Sequence, residues 1–157
     1  MLTLLHSLTL AIGCGVHPAW CTCLPPREPR TSVEAREYIE RAEMAFVATV
    51  LRIENPVASS GGVLERVASW DREIVTVEVR QRWRGAWPDT LTLHNSSQSS
   101  MCGVEFEVGR SYFILASHGE RRDADGRARL IPWGCDQSRP EAKARRLRRL
   151  LGGPLER

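Results

Sequence analysis

Glu73-Ile74-Val75-Thr76-Val77-Glu78-Val79-Arg80 alternates along its length, with Val75, Val77 and Val79 on one side and Ile74 and Thr76 on the other. A period of two with β-branched residues is the signature of a strand with one buried face. The strand continues through Trp83 to the turn Gly85-Ala86-Trp87-Pro88-Asp89. Upstream, Met44 to Ile53 is an almost unbroken apolar and β-branched run, read as a first strand buried on both faces over part of its length. Downstream, Thr90 to His94 alternates strictly, Ser111 to Ala116 follows the turn Val108-Gly109-Arg110, and Ala128 to Trp133 follows a charged loop over 118–126. These are five strands with no β-α-β alternation.

A helix is expected at each end of the strand set. Ser32 reads as an N-cap for Val33 to Ala42, with Val33, Ala35, Tyr38, Ile39 and Ala42 on its apolar side. Pro140 suits the first turn of a closing helix to Leu151, which Gly152-Gly153-Pro154 stops. Ala144, Leu147, Leu150 and Leu151 share its inner face, which predicts docking on the strands. The expected architecture is mainly β: a small five-stranded barrel, closed or nearly so, flanked by an N-terminal and a C-terminal helix.

The chain of 157 residues is read as one domain with short ends, and its net charge of +3 is unevenly spread. Residues 139–157 hold seven basic and two acidic residues, so the rest of the chain is close to neutral, at −2. A near-neutral body argues against a nucleic-acid groove, although small barrels often serve that purpose. The arginines of the tail read as the solvated side of a docked helix rather than a membrane arm.

Leu2 to Ile12 is an apolar run too short to span a bilayer, and it resembles the core of a secretory signal without the usual basic residues before it. Ala11 and Gly13 offer a small-x-small cleavage site, and Ala11-Ile12-Gly13-Cys14 offers a lipoprotein-like site with Cys14 as the lipidation candidate. The competing reading is a buried N-terminal element of a cytosolic protein. Residues 1–20 are taken as leader, and the expected location is secreted or cell envelope, with a lipid anchor as the sole route to a membrane. Export permits disulfides. Cys21, Cys23, Cys102 and Cys135 then allow three pairings. Cys21-Thr22-Cys23 is a single close pair rather than the two Cys-x-x-Cys knuckles of structural zinc, so no metal and no cofactor are expected.

No Gly-x-Ser-x-Gly frame surrounds the serines of the 95–100 loop, and His6, His17, His94 and His118 are scattered, so no catalytic residue is assigned and the histidines are expected at the surface. Trp83, Trp87 and Trp133 are expected to cap the barrel.

Cys21-Thr22-Cys23-Leu24-Pro25-Pro26, Ala45-Phe46-Val47-Ala48-Thr49-Val50, Trp83-Arg84-Gly85, Met101-Cys102-Gly103, Phe106, Gly109-Arg110-Ser111-Tyr112-Phe113 and Gly134-Cys135 occur in an order and spacing that resemble the netrin-like domain. That is the fold of the tissue inhibitors of metalloproteinases, here in a shorter bacterial form spanning residues 21–138, with 139–157 as basic helix and tail. The resemblance implies an OB-type barrel and the disulfides Cys21–Cys102 and Cys23–Cys135. It also implies an inhibitory ridge at Cys21, Thr22 and Cys23, whose first α-amine and carbonyl would chelate a protease zinc. Trp20 stands where signal peptidase requires a small residue, so Cys21 is not expected to become the N-terminus. The expected role is therefore a monomeric, non-catalytic binder of an extracellular or envelope protein. Metalloprotease inhibition is the second reading, and an envelope enzyme with an unrecognised site is the third.

Overall fold

A computed structural model describes residues 27–55, 73–86, 88–96, 103–122, 126–135 and 137–155. An extended arm over 27–30 leads into α1 (Ser32–Glu40), β1 (Met44–Glu54), β2 (Glu73–Arg84), β3 (Thr90–Asn95), β4 (Ser111–Arg122), β5 (Ala128–Pro132) and a two-residue strand β6 (Arg139–Pro140). A 3-10 turn (Glu141–Ala144) and a short helix, α2 (Arg145–Leu151), follow.

The strands pair in the order β3-β2-β1-β4-β5, every pair antiparallel. β5 comes back against β3, so the sheet curls into a nearly closed five-stranded barrel, consistent with the OB type. Three register shifts along the β1–β2 ladder, between Ala45 and Phe46, Val47 and Ala48, and Val50 and Arg52, supply the coiling. A bulge bends and twists the strand that carries it, which is how a small sheet turns back on itself.

β1 explains the two-layer core. Met44, Phe46, Ala48 and Val50 point into the barrel, where they meet Val75, Val77, Val79, Leu93, Tyr112, Ile114 and Leu130. Ala45 and Val47 point outward to a second cluster with Phe113 and Leu115 of β4 and with Ala35, Tyr38, Ile39, Leu147 and Leu151 of the helices. A strand covered on both faces needs apolar residues at both parities, hence the run without alternation. β2 keeps one face: Val75, Val77 and Val79 are buried while Ile74 and Thr76 are only partly so.

Both helices begin differently from expectation. Thr31, not Ser32, caps α1: its hydroxyl accepts the Glu34 N–H at 3.2 Å, and the Glu34 carboxylate accepts the Arg30 N–H at 2.6 Å. Glu34 lies three positions after Thr31, the spacing of a capping box, which Ser32 lacks. Val33 is exposed, because the buried row runs through Ala35, Tyr38, Ile39 and Ala42. At the other end Pro140 is extended, at φ −48° and ψ 135°, and pairs with Tyr112 before any helical turn starts.

Leu115 shows how β4 is completed on that side. Its N–H and C=O are both met by the Ser138 hydroxyl, at 3.1 and 3.0 Å, and its carbonyl also accepts the Trp133 N–H at 2.7 Å. α2 then lays Leu147 and Leu151 on the outer cluster and ends at Gly152, whose φ of 77° suits glycine after a helix. Leu147→Ala should lower stability by about 2–3 kcal/mol, since it opens a cavity between the helix and β4; urea unfolding measures this, and an unchanged midpoint would mean that α2 is not held by this leucine.

β3 pairs with β2 only as far as Glu78 opposite Thr90. Beyond that point the outer edge of β2 is met by single bonds: Val79 N–H donates to the Asp89 carbonyl at 2.7 Å, and Leu155 N–H donates to the Arg82 carbonyl at 2.6 Å.

Candidate functional site

Three polar regions lie on this frame. The first is the corner where the N-terminal arm meets β6. Cys135 follows β5 with a positive φ of 59° and is disulfide-bonded. It is the one cysteine among the described residues; Cys14, Cys21, Thr22, Cys23 and Cys102 all lie outside them. The arm passes close by. Pro29 is buried, and Glu28 forms an ion pair with Arg139 of β6 at 2.7 Å, across 111 positions of sequence. A cavity of about 210 Å³ opens between arm and α1, lined by Arg27, Glu28, Glu34, Glu37, Tyr38 and Arg41. Burial raises the Tyr38 phenol, while Arg139 nearby pulls it the other way. The Arg30 N–H holds the Glu34 carboxyl below its usual range. The six side chains named include acids, cations and a phenol but neither a nucleophilic hydroxyl or thiol nor an imidazole.

The second region is at the far end of β4. His118 was expected in a loop; the strand instead runs on to Arg122, pairing with Ala128 of β5. The imidazole Nδ1 contacts the Glu43 carboxylate, which also accepts the His118 N–H at 3.3 Å. Those bonds, the side-chain one foremost, hold the Glu43 carboxyl below its usual range. Ser117 sits next along the strand, so a Glu, a His and a Ser come together. They do not form a catalytic relay. Neighbours on a strand point to opposite faces, and the Ser117 hydroxyl accepts the Trp133 indole N–H at 3.1 Å and the Glu43 N–H at 3.3 Å. His94, also expected at the surface, is buried in β3 opposite Ile74.

The third region is a groove of about 580 Å³ between α2 and β2. Trp83 forms part of its wall, as do Gln81, Arg145, Arg148, Arg149 and Pro154. Trp83 therefore belongs to the outside of the barrel and not to its mouth, and Trp133 likewise packs on the outer cluster. The Trp83 ring is well occupied. Phe113 packs at 5.8 Å, the Arg148 guanidinium lies 5.7 Å over the indole, and Nε1–H donates to the Gly152 carbonyl at 3.1 Å. Arg148 also donates to Gln81 at 2.6 Å and pairs with Glu141. Arg145 and Arg149 are exposed on the same helix, and no carboxylate among the described residues pairs with either.

Among the described residues no three His, Cys, Asp or Glu side chains gather as a metal site would require. No helix among them is long and apolar enough to cross a membrane. The basic side of α2 was legible in the sequence, but its groove was not, because Trp83 lies 62 positions before Arg145 and only the packed barrel brings them together. No protein-family model matches the chain, and no curated protein is significantly similar to it.

Proposed function

We propose that this chain is an exported binding module of netrin-like type, an OB-type barrel stapled by Cys21–Cys102 and Cys23–Cys135, which engages another protein in the envelope or outside the cell and carries out no chemistry itself. The observation that carries this reading is the docking of the arm: Glu28 is tied to Arg139 four positions beyond the disulfide-bonded Cys135. The five residues from Cys23 to Glu28 reach at most about 17 Å, a length compatible with the proposed Cys23–Cys135 bond. With the arm clamped twice, residues 21–23 would form a rigid ridge on the barrel, and rigid ridges bind at small entropic loss.

Peptide mapping of exported protein without reduction tests the reading. The expected fragments join Cys21 to Cys102 and Cys23 to Cys135; free thiols, or Cys21 joined to Cys135, would overturn it. Mass spectrometry of the same sample gives the mature N-terminus and shows whether Cys14 carries a lipid. Any residue retained before Cys21 turns its amine into an amide, a poor zinc ligand, so the naturally processed form should leave metalloproteases uninhibited.

A further inference from the structure

The groove between α2 and β2 has a charge pattern that the fold leaves unanswered. Arg148 is committed to Glu141, Gln81 and Trp83. Arg145 and Arg149 line the same groove, are exposed, and have no carboxylate among the described residues. They stand four apart on one helix, so a rise of about 1.5 Å per residue separates them by about 6 Å along the axis. An extended peptide advances about 3.3 Å per residue and sends alternate side chains the same way, so acidic residues at i and i+2 present carboxylates about 6.6 Å apart. The two spacings match, and a guanidinium fork accepts a carboxylate in two-point geometry.

We infer that this groove binds an extended acidic segment of the partner protein, with Glu or Asp at alternate positions laid along Arg145 and Arg149 and the intervening residue against Trp83 and Pro154. Other anionic partners fit less well. A bilayer surface cannot fill a concave groove, and the leucines that would insert, Leu147 and Leu151, are turned into the protein core. A nucleic-acid base would need an open aromatic face, whereas Trp83 already has Arg148 over its ring and Phe113 beside it.

The inference rests on the binding role proposed above, and the tests are separable: if mapping finds the two disulfides and the peptide below does not bind, the groove assignment alone falls. Fluorescence anisotropy of the full chain with fluorescein-labelled Glu-Ala-Glu-Ala-Glu provides the measurement. The peptide should bind at least several-fold tighter than Glu-Glu-Ala-Ala-Glu, which has equal charge but no two acidic residues at i and i+2. Losing one charge-assisted pair corresponds to about tenfold in affinity, so the double variant Arg145→Gln/Arg149→Gln should bind at least about tenfold more weakly while melting at an unchanged temperature. Both side chains are exposed, and Arg146→Gln, altering a neighbouring exposed arginine outside the groove, should leave binding intact. Equal affinity for the two peptides, undiminished binding by the double variant, or a preference for phosphatidylglycerol vesicles or a sulfated oligosaccharide over the alternating peptide would overturn the inference.

Discussion

Phe113→Ala should destabilise the protein by about 3–5 kcal/mol, the largest effect of any single truncation considered. The side chain is wholly buried and sits between two rigid layers: β4, flanked by Val47 of β1 and Arg139 of β6, and the helical cluster with Trp83 against its ring at 5.8 Å. A cavity there cannot close unless α2 shifts as a body, and α2 is held by Leu147, Leu151 and the Arg148–Glu141–Gln81 network. At roughly 2–4 °C per kcal/mol for a chain of this length, the melting temperature should fall by about 6–20 °C. Circular dichroism during heating reads this directly, with Val33→Ala as control because that side chain is 64% exposed. A fall no larger than the control's would mean that the outer cluster is not a cooperative part of the core.

Asn95→Ala should remove about 2–4 kcal/mol, although Asn95 contributes almost nothing apolar. Its amide is 1% exposed and replaces a stretch of ladder: Nδ2 donates to the Val104 carbonyl at 2.7 Å and to Glu73 at 2.9 Å, while Oδ1 accepts the Val104 N–H at 3.0 Å. Removing it leaves both backbone groups of Val104 buried without partners, the expensive case for a polar deletion. Urea unfolding gives the magnitude, and hydrogen exchange gives the mechanism, since the Val104 amide should lose protection selectively. Retained protection at Val104 would show that another group satisfies it and that Asn95 is dispensable.

The strands were legible because their chemistry is local. Val75, Val77 and Val79 declare one buried face, and Met44 to Val50 declares two. What stayed hidden was set across the sequence. His118 to Arg122 looked like part of a loop because that half of β4 extends past the core and needs no apolar residue; pairing with β5 alone makes it a strand. Arg139–Pro140 is too short for any periodicity and exists as a strand only because Tyr112 and Phe113 offer an edge. His94 and Asn95 end a strand, which commonly means exposure, yet both are buried, and the segment carrying Val104 binds the Asn95 amide. At the candidate site, the cysteine pattern pointed to Cys135 and the arginine run to α2, whereas Glu28–Arg139 and Arg148–Trp83 connect positions that no local window contains.

The short reach of β3 along β2 bears on how the protein stays apart from copies of itself. From Arg80 onward no strand among the described residues pairs with the outer side of β2, and an open sheet edge is a template for fibrillar assembly. Three features blunt it here. Arg80, Arg82 and Arg84 place a charge at every second position of that edge, Arg82 locked to Asp89 at 2.8 Å. Leu155 caps the Arg82 carbonyl from the C-terminal side. The register shifts against β1 twist the edge out of the flat form that stacking requires. The few residues after α2 thus guard against aggregation, and a protein trimmed at Gly152 would keep its barrel while losing part of that protection.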